Sequence, residues 1–264
     1  MAMTSLSDML ARLRAEAPLV QIITNHVAMN ITANVLLAAG ASPAMVHAEE
    51  EAGEFAGLAR AVVVNIGTLS SPWVVGMKRA AAAASAGGKP WVLDPVAHFA
   101  TAFRRRTVGE LMALRPSVVR ANASEILALA GSASAGQGVD SGDPVERAEA
   151  AAHRLALAHH AVIAVTGAID FVTDGKRSAR VEGGSPLMPK VTALGCALSA
   201  LCGAFAAVAP DELFDATLAA LAMFAAAGDA AGRGAAGPGS FAVAFLDALS
   251  ALDGGALAGR ITTL

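Results

Sequence analysis

"AVVVNIGTLSSPWVVGMKRAAAAASAGGKPWVLDPV", from Ala61 to Val96, contains a whole strand–helix–strand unit. Its two ends, "AVVVNIG" and "PWVLDPV", are apolar on both faces, the pattern of strands buried between helical layers. Residues 72–86 between them are rich in alanine, and "SAGGKP" at 85–90 supplies a glycine stop followed by proline. Strands so connected lie parallel, joined by a right-handed crossover.

The same alternation extends in both directions. "LVQIITN" (19–25), "PAMVHA" (43–48), "SVVRAN" (117–122) and "AVIAVTG" (161–167) are further strand candidates, with helices expected at about 28–39, 50–59, 103–113, 122–130 and 144–158. Beyond them "DFVTDGKRSARVEGG" (170–184) reads as a hairpin turning at Asp174-Gly175, and the remainder as nearly all helix. The apolar stretches 191–208 and 213–227 are rich in Ala, Gly and Ser and are separated by Asp211-Glu212, which favours buried helices over membrane spans. "ASAGQGVDSGD" (133–143) reads as a surface loop, and the expectation is one α/β domain over 1–264.

Of the 264 residues, 55% are hydrophobic and only 16% charged, so a large core is expected, with further apolar surface hidden between subunits. The net charge of −3 and the absence of a basic run beyond Arg104-Arg105-Arg106 argue against a nucleic-acid partner and for a small molecule. Cys196 and Cys202 lie six apart in one apolar segment, which suggests neither a disulfide framework nor metal-ligand spacing. The N-terminal "MAMTSLSDMLARLRAEAP" has acidic residues and helical periodicity where a signal peptide would be continuously apolar, and a cytoplasmic protein is expected.

In an open α/β sheet, ligands bind beyond the carboxyl ends of the strands. There stand Asn25, His47, Asn65, Gly67, Asp94, Arg120, Asn122 and the pair Thr166-Gly167. Singly, each is consistent with an ordinary cap or turn residue; their shared placement points to a site. Asp94 before Pro95 either ends an extended segment or ligates Mg²⁺. Asn122 and Glu125 either form a capping box, or Glu125 holds part of a magnesium hydration shell. "VTALGCALSALCGAF" (191–205) brings a turn into a helix N-terminus, where free N–H groups favour an anion and a thiol at Cys196 has its pKa lowered. Taken alone the pentapeptide Thr192–Cys196 favours simple burial of Cys196, as of Cys202.

Taken together, "ITNHVAMNITANVLLAAGASPAMVHAEEE", "VVVNIGTL", "WVLDPVA", "VVRANASEI", "AVTGAIDFVTDG", "GCALSALCGAF" and "GPGSF" resemble the hydroxyethylthiazole kinase family in order and spacing over nearly the whole chain. The resemblance implies a ribokinase-like three-layer α/β/α fold with a mostly parallel central sheet. It also implies transfer of the ATP γ-phosphoryl group to 4-methyl-5-(2-hydroxyethyl)thiazole, with Mg²⁺ as cofactor, in a homotrimer whose sites lie between subunits. By matching, Cys196 takes the catalytic place and Ala193, Leu194, Gly195 and Cys196 form the anion hole. Arg120 and Thr166 contact ATP, Met45, Asn25, Gly67 and Ala193 the thiazole, and Asp94 and Glu125 the magnesium region.

Two departures stand out. Ala193 occupies a place where the family usually has glycine, and would strain the loop if its φ were positive. "DPVAHFATAFR" from Asp94 replaces a pattern closer to "DPVGxGAT", with His98 either a new contact or, the favoured expectation, an exposed loop residue. A hydroxymethylpyrimidine kinase, an ADP-dependent hydrate dehydratase or a non-catalytic ligand-binding relative are the competing readings of the fold.

Overall fold

Alternation along each strand divides the sheet into two buried faces. Val20, Ile22, Val63, Val92 and Val118 point to one core, and Ile23, Val62, Val64, Leu93 and Val119 to the other. The computed structural model describes residues 5–132 and 142–264, so the 133–143 loop expectation falls largely outside the described residues.

In chain order the elements are α1 (Leu6–Glu16), β1 (Leu19–Ile23), α2 (Met29–Ala39), β2 (Ser42–Ala44), α3 (Ala52–Leu58), β3 (Ala61–Asn65), α4 (Ser71–Ala86), β4 (Trp91–Asp94), α5 (Ala102–Met112), β5 (Val118–Asn122), α6 (Ala123–Leu129), α7 (Val145–His159) and β6 (Val162–Thr166). They continue as β7 (Asp170–Thr173), β8 (Ser178–Val181), α8 (Leu194–Val208), α9 (Leu213–Gly232), α10 (Pro238–Ala251), α11 (Gly255–Ala258) and β9 (Ile261–Thr263). The sheet order is β2-β1-β3-β4-β5-β6-β7-β8-β9. Pairings from β2 through β6 are parallel, and those from β6 to β9 antiparallel. Residues of α3 to α7 fill one core and those of α1, α2 and α8 to α10 the other, which makes the α/β/α layering. From β1 the chain crosses outward to β2 and then back to β3 on the other side of β1, so the strand order reverses at the β1–β3 pair and opens a crevice there.

Local signals account for the element ends. Ser70 caps α4 by accepting from the Trp73 N–H at 3.4 Å, and Gly88 takes φ 64° after its end. The 213–227 expectation corresponds to α9, long and apolar enough to cross a membrane by composition, yet 83% of its apolar window is buried among other elements. Two expectations change. The "PAMVHA" strand stops at Ala44, leaving Met45–His47 in the following loop, and the C-terminal region adds β9 to its helices. β9 is a three-residue edge strand, too short for alternation to reveal; β8 supplies its partners.

Candidate active site

Parallel register delivers the polar strand ends to one level. Asn65 on β3 pairs with Asp94 on β4, and Asn122 on β5 with Thr166 on β6. Asn65 Nδ2 donates to Asp94 Oδ2 at 2.7 Å, and Ser199 Oγ of α8 donates to the same oxygen at 2.7 Å. Asn25 Nδ2 donates to Asn65 Oδ1 at 3.0 Å and to Cys196 Sγ at 3.4 Å. Backbone donors fix both amides: the Ala28 N–H holds Asn25 Oδ1 at 3.0 Å, and the Gly67 N–H holds Asn65 Oδ1 at 2.9 Å. Each side-chain NH₂ therefore faces the site, and the Cys196 sulfur is an acceptor toward Asn25. Glycine is required at 67 by close approach, because a Cβ there would stand 2.5 Å from Asn25 Nδ2.

Arg120 projects from β5 into the same region, donates to Thr166 Oγ1, and places Nη1 3.9 Å from Asp94 Oδ2. Its guanidinium lies against Gly195, where a Cβ would stand 2.8 Å from Nη1. α8 starts directly above with Ala193 as its cap; the first intrahelical bond runs from the Ala197 N–H to the Ala193 carbonyl, leaving the preceding N–H groups without helical acceptors. Ala193 has φ 62° and Ala97 φ 48°, so both alanines at the family's glycine places sit in left-handed backbone.

Burial, then the nearby Asp94 carboxylate, pushes the Cys196 thiol up to about 11. This corrects the lowered value expected from the helix N-terminus: removing a thiolate from water outweighs the partial charge of one helix end. Cys202 is wholly buried and pushed up to about 12, a packing residue as expected. Burial also raises Asp94, opposed by Arg120, Ser199 and Asn65, and its Oδ1 is buried with no hydrogen-bond partner. Glu125 does form the capping box: Oε2 accepts from the Asn122 N–H at 2.9 Å, while Oε1 accepts from the Ala97 N–H at 2.8 Å. Burial, with Asp94 adding, pushes its carboxyl up to about 7.

His98 is buried, 5% exposed, in a short 3-10 turn, which overturns its expected place on an exposed loop. The turn follows the left-handed Ala97 and packs against α5 and α6, and burial holds the His98 pKa below the usual value. Met45 is half-buried against the core of α2 and α8 and takes no part in the hydrogen-bonded network. Ser199 is a site residue absent from the sequence expectations, although it is the lone hydroxyl in the apolar "LGCALSALCGAF"; one turn beyond Gly195, it meets its partner only because α8 lies across β4.

The profile of the Hydroxyethylthiazole kinase family matches residues 10–254. Hydroxyethylthiazole kinase of Rhizobium etli (strain CIAT 652) is 68% identical over 252 residues, 96% of this chain and 98% of that protein. The namesake from Cereibacter sphaeroides (strain ATCC 17029 / ATH 2.4.9) is 63% identical over 93% of each. Among solved structures, the hydroxyethylthiazole kinase protein from Pyrococcus horikoshii OT3 superposes with TM-score 0.89 at 41% identity over 98% of both chains. A Bacillus subtilis pyridoxal kinase, TM-score 0.59 at 18% identity over 79% of this chain and 90% of that one, shares the fold alone. Agreement across nearly the full length, in sequence and in backbone, places this chain in the hydroxyethylthiazole kinase family.

Proposed function

We propose that the protein transfers the γ-phosphoryl group of ATP to the primary alcohol of 4-methyl-5-(2-hydroxyethyl)thiazole, acting as one kinase domain over residues 1–264. The observation that carries this reading is the Cys196 thiol, held by Asn25 at the N-terminus of α8 and joined through Asn65 to the buried Asp94 carboxyl group. Phosphoryl transfer has a loose transition state in most analyses, so positioning and charge neutralisation matter more than a strong base. The alcohol hydrogen-bonds to Cys196 Sγ, with Asn25 and Gly67 shaping the pocket beside it and Met45 lining its outer wall. The N–H groups of Ala193, Leu194, Gly195 and Cys196 receive the transferring phosphoryl oxygens. Arg120, with Thr166 as its hydrogen-bond partner, neutralises ATP phosphate charge.

Mg²⁺ fits this chain as the partner of ATP. The unpaired Asp94 Oδ1 is a hard oxygen donor, whereas both Glu125 oxygens already accept backbone N–H groups, which suits Glu125 to hold water around the ion. Among the described residues no group of three His, Cys, Asp or Glu side chains could hold a metal, which suits an ion bound mainly through phosphates and water. When bound, the ion supplies charge neutralisation on the phosphates.

A homotrimer in the cytoplasm completes the proposal, with neither membrane nor nucleic acid as partner. Its support is the set of apolar side chains left in water on α2, on α10 and beside Asn25: Leu37 at 61%, Val243 at 64% and Val27 at 62% exposed. A neighbouring subunit covering Val27 stands at the mouth of the site. The test is ATP-dependent phosphorylation assayed across thiazole and pyrimidine alcohols. Turnover of the hydroxyethylthiazole supports the reading; a preference for hydroxymethylpyrimidine, or binding of both ligands without turnover, refutes it.

A further inference from the structure

Of the run Arg104-Arg105-Arg106, two members face water: Arg105 reaches the Phe99 carbonyl, and Arg106 lies over the Phe103 ring at 5.6 Å. Arg104 turns inward from the first turn of α5. Its Nη1 donates to the carbonyls of Ile66 at 2.9 Å and Val96 at 2.8 Å, and its Nη2 to that of Gly67 at 2.7 Å. Among the described residues no carboxylate forms a salt bridge with it, so the guanidinium is held by neutral carbonyls alone.

Those carbonyls belong to two strand-end loops with different duties. Ile66 and Gly67 follow β3, and the Gly67 N–H orients the Asn65 amide that meets Asn25. Val96 follows β4 between Asp94 and Ala97, whose N–H is gripped by Glu125. One planar fork spans both, and no single ammonium reproduces that spread.

We propose that Arg104 is a positioning residue that ties the loop beside the acceptor alcohol to the loop beside ATP and its metal, and so sets the gap the phosphoryl group crosses. The proposal rests on the kinase reading above. A misplacement near 1 Å costs about 10²-fold in rate, which sets the scale expected here. Arg104→Ala and Arg104→Lys are to be compared with wild type and with Arg106→Ala as a control on the exposed face. In both Arg104 variants kcat falls, by about 10²-fold for the alanine and less for lysine. Dissociation constants for the thiazole alcohol and ATP, by calorimetry, stay within about threefold, a difference of under 1 kcal/mol. Added guanidinium at millimolar concentration restores part of the alanine variant's kcat and none of the lysine variant's. Hydrogen exchange speeds up in both segments 65–69 and 94–99.

If Arg104→Ala does not fold, Arg104→Lys decides. The proposal is overturned by kcat within twofold of wild type in the lysine variant, or by exchange unchanged in either loop. Wild-type protein inactive on thiazole alcohols would instead sink the kinase reading, while the exchange measurement still tests the tie between the loops.

Discussion

Replacing Ala193 by glycine should stabilise the protein. Alanine at φ 62° places its Cβ against the following carbonyl, a conformation that costs an L-residue about 1–2 kcal/mol. Glycine removes that cost but adds unfolded-chain entropy, which offsets about 0.4–1 kcal/mol. The balance is a gain of about 0.5–1 kcal/mol, seen as a rise of about 1–4 °C in Tm for a chain of this size. The control is Ala82→Gly, at an exposed position inside α4, where the same chemical change should destabilise by about 1 kcal/mol. Urea or thermal unfolding of the two variants beside wild type makes the comparison. Opposite signs support the strain argument; equal destabilisation by both refutes it, and shows that the loop above Arg120 is relaxed around alanine. Ala97→Gly, at φ 48°, is expected to follow Ala193→Gly in sign.

Cys196→Ala should lower kcat by about 10²-fold with little change in thiazole affinity by calorimetry, while Cys196→Asp retains turnover; wild-type kcat in the alanine variant would remove the thiol from the mechanism. With its thiol pushed up from 9.0 to about 11, Cys196 should alkylate slowly at pH 8 and progressively faster toward pH 11. A raised folded pKa contributes stability that is present below pH 9 and lost as pH rises toward 11, so wild type should lose more stability over that window than Cys196→Ala in urea melts. Gly67→Ala places a methyl group 2.5 Å from Asn25 Nδ2, and should destabilise by about 1–3 kcal/mol and lower kcat as Asn25 is driven off Cys196. Unchanged kinetics in that variant would separate Asn25 from the reaction.

Much that depends on neighbours a few residues apart is legible in the sequence. Val62 and Val64 face one core and Val63 the other because side chains alternate along a strand, and α4 stops where "SAGGKP" permits no further helical turn. Parallel order followed from strand–helix–strand alternation, and with it the placing of Asn25, Asp94, Arg120 and Thr166 at the carboxyl ends of the strands. The tertiary structure alone decided which of those ends touch and how far each is withdrawn from water. Ser199 finds Asp94 across 105 residues, and Arg104 finds Ile66 and Gly67 across 38 and 37, pairings with no local signature. The pKa of Cys196 lies on the opposite side from expectation for the same reason: a helix N-terminus is readable from a few residues, whereas desolvation is set by every group that excludes water from the thiol. His98 likewise lies buried because α5 and α6 pack against the short turn that carries it, long-range packing that the letters "VAHFA" do not display.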